Sequence, residues 1–273
     1  MPAEPGPAPT VSADAIGDAL DRYRELGFAH LPAAFSEATI APLRERMRRL
    51  MAGDLDHTPF FFQQDADTGR YEDAPLGKGW VGPSPNYRKI EKLERDPVVF
   101  AFLGNPLFEH IARDIIPGPV HIYRTILMTK PSQLDHETGG TDLPWHQDGG
   151  RLWGLSQDPE LQLWVALDDA PIAAGCMRFA AGSHKDGFAT PLGGKVPDSL
   201  VADHLARYPL VTVPAKAGDL VLLHNAVWHA SGLNTTPHTR RALSVCLIPE
   251  TTSCTRKRGP KRVFPRLFGP PSD

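Results

Sequence analysis

The chain is poor in the features that direct a protein to a membrane, a polyanion or an oxidising compartment. Its three cysteines, Cys176, Cys246 and Cys254, are an odd number without metal-knuckle spacing. They build no disulfide framework and suit a reducing cytoplasm. No run of 18 apolar residues occurs, so no membrane span is expected. The opening Met1-Pro2-Ala3-Glu4-Pro5 lacks the charged and apolar parts of a signal peptide. Neither sign of charge dominates: 29 Lys and Arg against 32 Asp and Glu leave a net charge of −3, which recommends no nucleic acid as partner. Repeats, heptads and long charge blocks are absent too. What remains is the expectation of a globular chain, a monomer or homodimer, whose partner is a small-molecule substrate.

Hydrophobic residues make up 41% of the sequence, enough for a buried core, and one domain is expected over 12–273. Residues 1–11, rich in Pro and Ala, are expected to be disordered. Ile16, Leu20, Tyr23 and Leu26 recur at helical spacing between Ser12 as N-cap and Gly27 as stop. Ile40, Leu43, Met47 and Leu50 do the same between Ser36 and Gly53, and Phe28 to Leu31 reads as a short strand between the two helices. From Asp54 to Tyr87 the chain is rich in Gly, Pro and Asp, with Phe60-Phe61-Phe62 as either a hairpin or a mobile flap. Helical pattern returns over 97–116, broken at Gly104-Asn105-Pro106, so helices account for most of 12–116.

Beyond Pro119 the character changes to short β-branched and aromatic runs between turn signals. Strands are expected at 120–128, around His146, and at 161–167, 177–179, 210–213, 220–224, 227–231 and 240–248. About eight strands over 119–250 is the number a jelly roll requires, giving a mostly β fold with flanking helices. Residues 251–273 are locally basic (Arg256, Lys257, Arg258, Lys261, Arg262, Arg266) and form either a tail or a strap over the barrel.

The chemistry concentrates in Trp145-His146-Gln147-Asp148-Gly149-Gly150. Two residues apart on a strand point the same way, so His146 and Asp148 can hold one metal. His229, in Val227-Trp228-His229-Ala230-Ser231-Gly232, is a third ligand candidate. Alone, a His-x-Asp pair is more often a surface turn, and a histidine among apolar residues is more often a satisfied core group, as His224 is equally free to be. The sequel separates the two histidines. Ser231 shares the face of His229, and the turn Asn234-Thr235-Thr236-Pro237 brings Arg240 back on the next strand.

Two histidines and one carboxylate form the facial triad of non-haem Fe(II) oxygenases, which leaves positions open for a co-substrate and oxygen. The guanidinium of Arg240 can grip the distal carboxylate of a dicarboxylic 2-oxo acid whose other end chelates the metal, and Ser231 can add a hydrogen bond.

The order and spacing of these motifs resemble the phytanoyl-CoA dioxygenase family of Fe(II)/2-oxoglutarate-dependent oxygenases. His146-x-Asp148 is similar to the family's proximal pair, Trp228-His229-Ala230-Ser231-Gly232-Leu233-Asn234-Thr235 to its distal segment, and Arg240 stands at its co-substrate arginine. Leu163-Trp164-Val165-Ala166-Leu167-Asp168-Asp169, Gly175-Cys176-Met177-Arg178-Phe179, Gly182-Ser183-His184 and Gly218-Asp219-Leu220 follow the family's internal landmarks in order, over about Val120 to Ile248. Two departures, Ala230 for the usual glycine and the pair Cys176-Met177, leave the metal site intact.

The resemblance implies a double-stranded β-helix, with His146, Asp148 and His229 as iron ligands and Arg240 and Ser231 on the 2-oxoglutarate carboxylate. It further implies Trp164, Met128 and, by looser alignment, Lys89 at the co-substrate pocket. As isolated residues, Trp164 and Met128 are more often plain core and Lys89 more often solvated. Related halogenases replace the acid by a small residue; a retained Asp148 implies oxygen transfer with O2, hydroxylation first, although desaturation, cyclisation and peroxide formation use the same cofactors. Arg151, Trp153 and the 60–64 segment with Phe61 are the expected substrate-shaping residues, and the composition suits a bacterial tailoring enzyme of natural product biosynthesis. The competing reading is a cupin-like metal protein that binds or isomerises a small ligand without 2-oxoglutarate. Arg240 separates them, because such a barrel needs no carboxylate anchor there.

Overall fold

Ser12 caps the first helix as its patterning predicts. Its hydroxyl accepts the Ala15 N–H at 3.3 Å, and Gly27, at φ 80°, ends the helix by donating its N–H to the Tyr23 carbonyl. The computed structural model describes residues 11–66, 68, 70–75, 77–132, 141–257 and 261–269. Of residues 1–11, expected to be disordered, Val11 is described and packs against the core, whereas 1–10 and Arg258 of the basic segment lie outside the described residues.

In chain order the elements are α1 (Ala13–Leu26), β1 (Phe28–Leu31), α2 (Glu37–Ala52), β2 (Phe61–Gln64), β3 (Tyr87–Glu91), α3 (Pro97–Leu103), α4 (Pro106–Ile115), β4 (Val120–Lys130), β5 (Leu143–Gln147) and β6 (Leu161–Ala166). They continue with β7 (Met177–Ala180), β8 (Gly194–Lys195), α5 (Asp198–Leu205), β9 (Leu210–Val213), β10 (Leu220–His224), β11 (His229–Ser231), β12 (Arg240–Pro249) and β13 (Arg266–Phe268). The break at Gly104-Asn105-Pro106 is a new start: the Asn105 side chain accepts the Leu107 N–H at 2.9 Å, and Pro106 occupies the first turn of α4.

The described strands form two antiparallel sheets, one of eight strands in the order β1-β10-β6-β12-β4-β3-β2 with β13 beside β4, the other of five in the order β8-β5-β11-β7-β9. This is the jelly-roll architecture, mostly β with helices outside. The larger sheet is covered on both sides. Leu161, Leu163 and Val165 of β6 belong to the core that α1 to α4 bury, whereas Trp164 and Ala166 belong to a second core with Phe179 and Met177 of the smaller sheet. Covering both faces explains why β6 is buried at every position and carries no polar alternation.

Several expectations are corrected. The N-terminal part is not only helical: beside the expected strand at Phe28–Leu31, which is β1, strands β2 and β3 extend the larger sheet. The aromatic run 60–62 belongs to a pair in which Phe61 and Phe62 sit opposite Glu91 and Ile90, so the partner strand lies across a long connection. Helix α5 interrupts a region expected to be all β, β11 is shorter than 227–231, and the basic C-terminal segment is a strap whose β13 pairs β4. Within β4 the register shifts, Cys246 facing Arg124 and Leu247 facing Ile122, which makes Tyr123 the extra residue of a bulge. Ile122 consequently faces the helices while Arg124 joins the wall between the sheets.

Candidate metal centre

Strands β5 and β11 are neighbours, and their register sets His229 opposite His146, with ring centroids 3.9 Å apart. Asp148 follows one residue after β5 ends. It is fixed through its backbone, which donates N–H to the Asn225 carbonyl at 2.9 Å and accepts the Asn225 side-chain amide at 2.8 Å. The carboxylate turns back to the histidines: Oδ2 is 3.8 Å from His229 Nε2 and accepts a hydrogen bond from Gln162 Nε2 at 2.9 Å. One ligand atom from each of the three residues lies within 4.8 Å of the others.

Protonation suits the same purpose. Nδ1 of His146 stands 2.9 Å from the Pro144 carbonyl and Nδ1 of His229 3.0 Å from the Val227 carbonyl. A carbonyl only accepts, so each neutral ring carries its proton on Nδ1 and presents the lone pair of Nε2. Burial, followed by the nearby His229, pushes the His146 pKa well down and keeps the ring neutral. Burial alone would raise the Asp148 pKa; His146, His229, Arg124 and the Gln162 hydrogen bond outweigh it and hold the group ionised. Two unprotonated ring nitrogens and one carboxylate converging on a point fit a divalent iron and leave the remaining coordination positions free.

A narrow cleft of about 30 Å³ leads from the triad between the sheets, lined by Met128, Trp164, Met177, Ser231 and Arg240. Arg240 is 3% exposed. Its Nη2 donates to the Gly175 carbonyl at 2.9 Å, its guanidinium carbon is 5.7 Å from the Trp164 ring centroid, and its Nε has no hydrogen-bond partner among the described residues. No acid among the described residues forms an ion pair with it. Burial lowers its pKa to about 10, so it remains a cation at neutral pH. A buried guanidinium with unused donors is a site for an anion. Lys89, paired with Met128 across β3 and β4, lines the continuation of the cleft, and burial brings its pKa down to about 8.

On the other side of the triad lies a cavity of about 210 Å³, whose wall includes Arg124, Trp153, Gln162, Lys89 and Lys195. Trp153 is thus at the metal site. Arg151 is exposed and Phe61 is half-buried on β2, and neither lines this cavity. A larger groove of about 490 Å³ contains no triad residue, and its arginines are already matched, Arg48 by Glu45 and Arg241 by Asp168.

Comparison with known proteins agrees with this geometry. The model of the phytanoyl-CoA dioxygenase (PhyH) family matches residues 23–242, which contain all three triad residues and Arg240. The chain belongs to the phytanoyl-CoA dioxygenase family. This family member is 29% identical over 203 residues to a mouse phytanoyl-CoA dioxygenase domain-containing protein 1, a match over 71% of this chain and 66% of the relative, just under two thirds of its length. It is 24% identical over 263 residues to an Arabidopsis thaliana phytanoyl-CoA dioxygenase, covering 87% and 89% of the two chains.

Among solved structures, the α-ketoglutarate-dependent epimerase SnoN of nogalamycin biosynthesis superposes with a TM-score of 0.72 at 20% identity over 96% of this chain and 99% of that one. EctD from S. alaskensis, solved with 2-oxoglutarate and 5-hydroxyectoine, gives 0.68 at 19% identity over 99% and 88%. These likenesses concern the fold of the PhyH-family chain.

Three residues around the triad do not stand out in the sequence. Gln162 and Arg124 had a usable signal, since they share strand parity with Trp164 and Met128. Asn225, on the turn after β10, had none.

Proposed function

We propose that this protein is a non-haem Fe(II)- and 2-oxoglutarate-dependent dioxygenase that hydroxylates a C–H bond of a small molecule in natural-product tailoring. The observation that carries the reading is Arg240, a buried cation without an acidic partner, one cleft away from a two-histidine, one-carboxylate triad. Membership of the PhyH family and the fold shared with SnoN and EctD support it.

His146, Asp148 and His229 would hold the iron. Arg240, with Ser231 beside it in the cleft, would receive the distal carboxylate of 2-oxoglutarate; Trp164 and Met128 would form the walls and Lys89 a second cation. When bound, Fe(II) supplies oxygen activation at the expense of 2-oxoglutarate, which leaves as succinate and carbon dioxide. The protein's own part is to orient and shield. Gln162 fixes the carboxylate, two carbonyls fix the tautomers, and the two sheets exclude water around Arg240. Three buried cysteines without disulfides suit a reducing cytoplasm. Epimerase and carbocyclase neighbours use the same fold, and the retained Asp148 speaks against halogenation rather than against those outcomes.

The test is anaerobic titration of the Fe(II) protein with 2-oxoglutarate, followed by calorimetry and by the weak visible band of a chelated 2-oxo acid. Arg240→Met should weaken 2-oxoglutarate by about 10- to 100-fold, the range for a lost charge-assisted hydrogen bond, and leave Fe(II) bound. Wild-type protein that binds Fe(II) but not 2-oxoglutarate would instead be the cupin-like metal protein.

A further inference from the structure

Arg124 helps to keep Asp148 ionised, but the mechanism above gives its guanidinium donors nothing to bind. Among the described residues its guanidinium donates no hydrogen bond; the nearest acid is Asp148, whose Oδ1 is 3.7 Å from Nη2. That acid is already served by Gln162. A guanidinium beside a ligand carboxylate also repels the incoming metal cation, so holding iron is not a reason to place it there.

Its position is nevertheless built with care. Arg124 shares the parity of Ile126 and Met128, all three on the cavity wall, and the Tyr123 bulge directly before it turns Ile122 to the helices instead. Its guanidinium carbon lies 4.2 Å from the Trp153 ring centroid, Trp153 stacks on Tyr123 at 4.8 Å, and Arg262 of the C-terminal strap sits 4.8 Å from the Tyr123 ring and donates to the Tyr123 carbonyl at 2.7 Å. The charge balance of the cavity points the same way. Its charged wall residues are Lys89, Arg124, Lys195 and Asp148. Lys195 is matched by Glu72 and Asp198, and the charge of Asp148 is committed to the metal.

Resting on the oxygenase reading, we propose that the substrate is a compact oxyanion, a carboxylate or a phosphate ester, and that Arg124, stacked on Trp153, binds its anionic group in the cavity beside the triad. A guanidinium held over an indole ring is restrained, and its fork of donors can match a bidentate oxyanion. The cavity volume, about 210 Å³, is below the roughly 300–1,000 Å³ of pockets that enclose drug-sized ligands, which favours a small metabolite over a long thioester.

The experiment uses the full chain as its anaerobic Fe(II) and 2-oxoglutarate complex. Calorimetry is run with three matched panels: amino acids and short carboxylic acids, phosphate monoesters of the same skeletons, and the uncharged primary amides of the acids. One anionic panel should contain ligands that bind at least about tenfold more tightly than their amides, and which panel responds identifies the oxyanion. Arg124→Gln should weaken the best ligand about tenfold or more, Arg124→Lys should restore part of it, and the affinities for Fe(II) and 2-oxoglutarate should stay within about twofold. Amides that bind as well as acids, an anion unaffected by Arg124→Gln, or no bound anion at all would each overturn the proposal. Loss of Fe(II) in Arg124→Gln would also overturn it, by making Arg124 a prop for Asp148. Failure of the wild type to bind 2-oxoglutarate is seen before any panel is added and sinks the oxygenase reading itself.

Discussion

His146 and His229 are direct cross-strand partners, and each is steered by the carbonyl two residues before it, Pro144 for one and Val227 for the other. The distance between these two rings is therefore set by the spacing of a β-ladder and not by loops. Asp148 lacks this advantage, because it lies just outside β5 and depends on Asn225 and Gln162 for its place.

That dependence gives the first prediction. Gln162→Leu removes the hydrogen bond to Asp148 Oδ2 and should weaken Fe(II) binding about 10- to 100-fold, as loss of outer contacts to metal ligands does elsewhere. Anaerobic Fe(II) titration measures it. Unaltered affinity would mean that Asn225 alone orients the acid.

A second prediction concerns Gly175. Its φ is 68°, a Cβ there would meet the Gly232 carbonyl oxygen at 2.3 Å, and its own carbonyl accepts from Arg240. Gly175→Ala should destabilise the fold by about 1–3 kcal/mol through strain and displaced backbone. It should also lower 2-oxoglutarate affinity, since the arginine loses its only fixed partner among the described residues. Denaturant melts and calorimetry on one preparation check both halves.

The third prediction is a pH dependence. Lys130, 7% exposed, donates to the Thr141 carbonyl at 2.8 Å, and burial, aided by Arg240, lowers its pKa from 10.5 to about 7. Between those two values the unfolded chain holds more of this proton than the folded one, so stability rises with pH across that window. Relative to Lys130→Met, the wild type should gain about 2 kcal/mol from pH 7 to pH 9 in urea titrations. An equal response of both proteins would show that Lys130 is hydrated in the fold.

The sequence disclosed what local periodicity and short spacing can encode. Ser12 and Gly27 bracket α1 because capping depends on near neighbours, and His146 with Asp148 shares a face because strands repeat every two residues. The pairing of Phe62 with Ile90 was hidden, since the partner is chosen by the larger sheet rather than by the residues between. Arg151 and Trp153 are close in sequence, yet the short 3₁₀ turn they share exposes one and buries the other against Tyr123. Arg124 was legible from its parity with Met128, whereas the bulge at Tyr123 hid the facing of the residues before it, so that Ile122 turns to the helices.

The two sheets supply different parts of the centre. His146, His229 and Ser231 come from the five-stranded one, Arg240, Trp164 and Met128 from the other. A molecule chelated at one end and gripped at the other acts as a suture through the sandwich. Iron alone should quiet amide exchange only around β5 and β11, whereas the joint complex should slow it in β12 and β6 as well, making the loaded barrel a stiffer body than either ligand's footprint would predict.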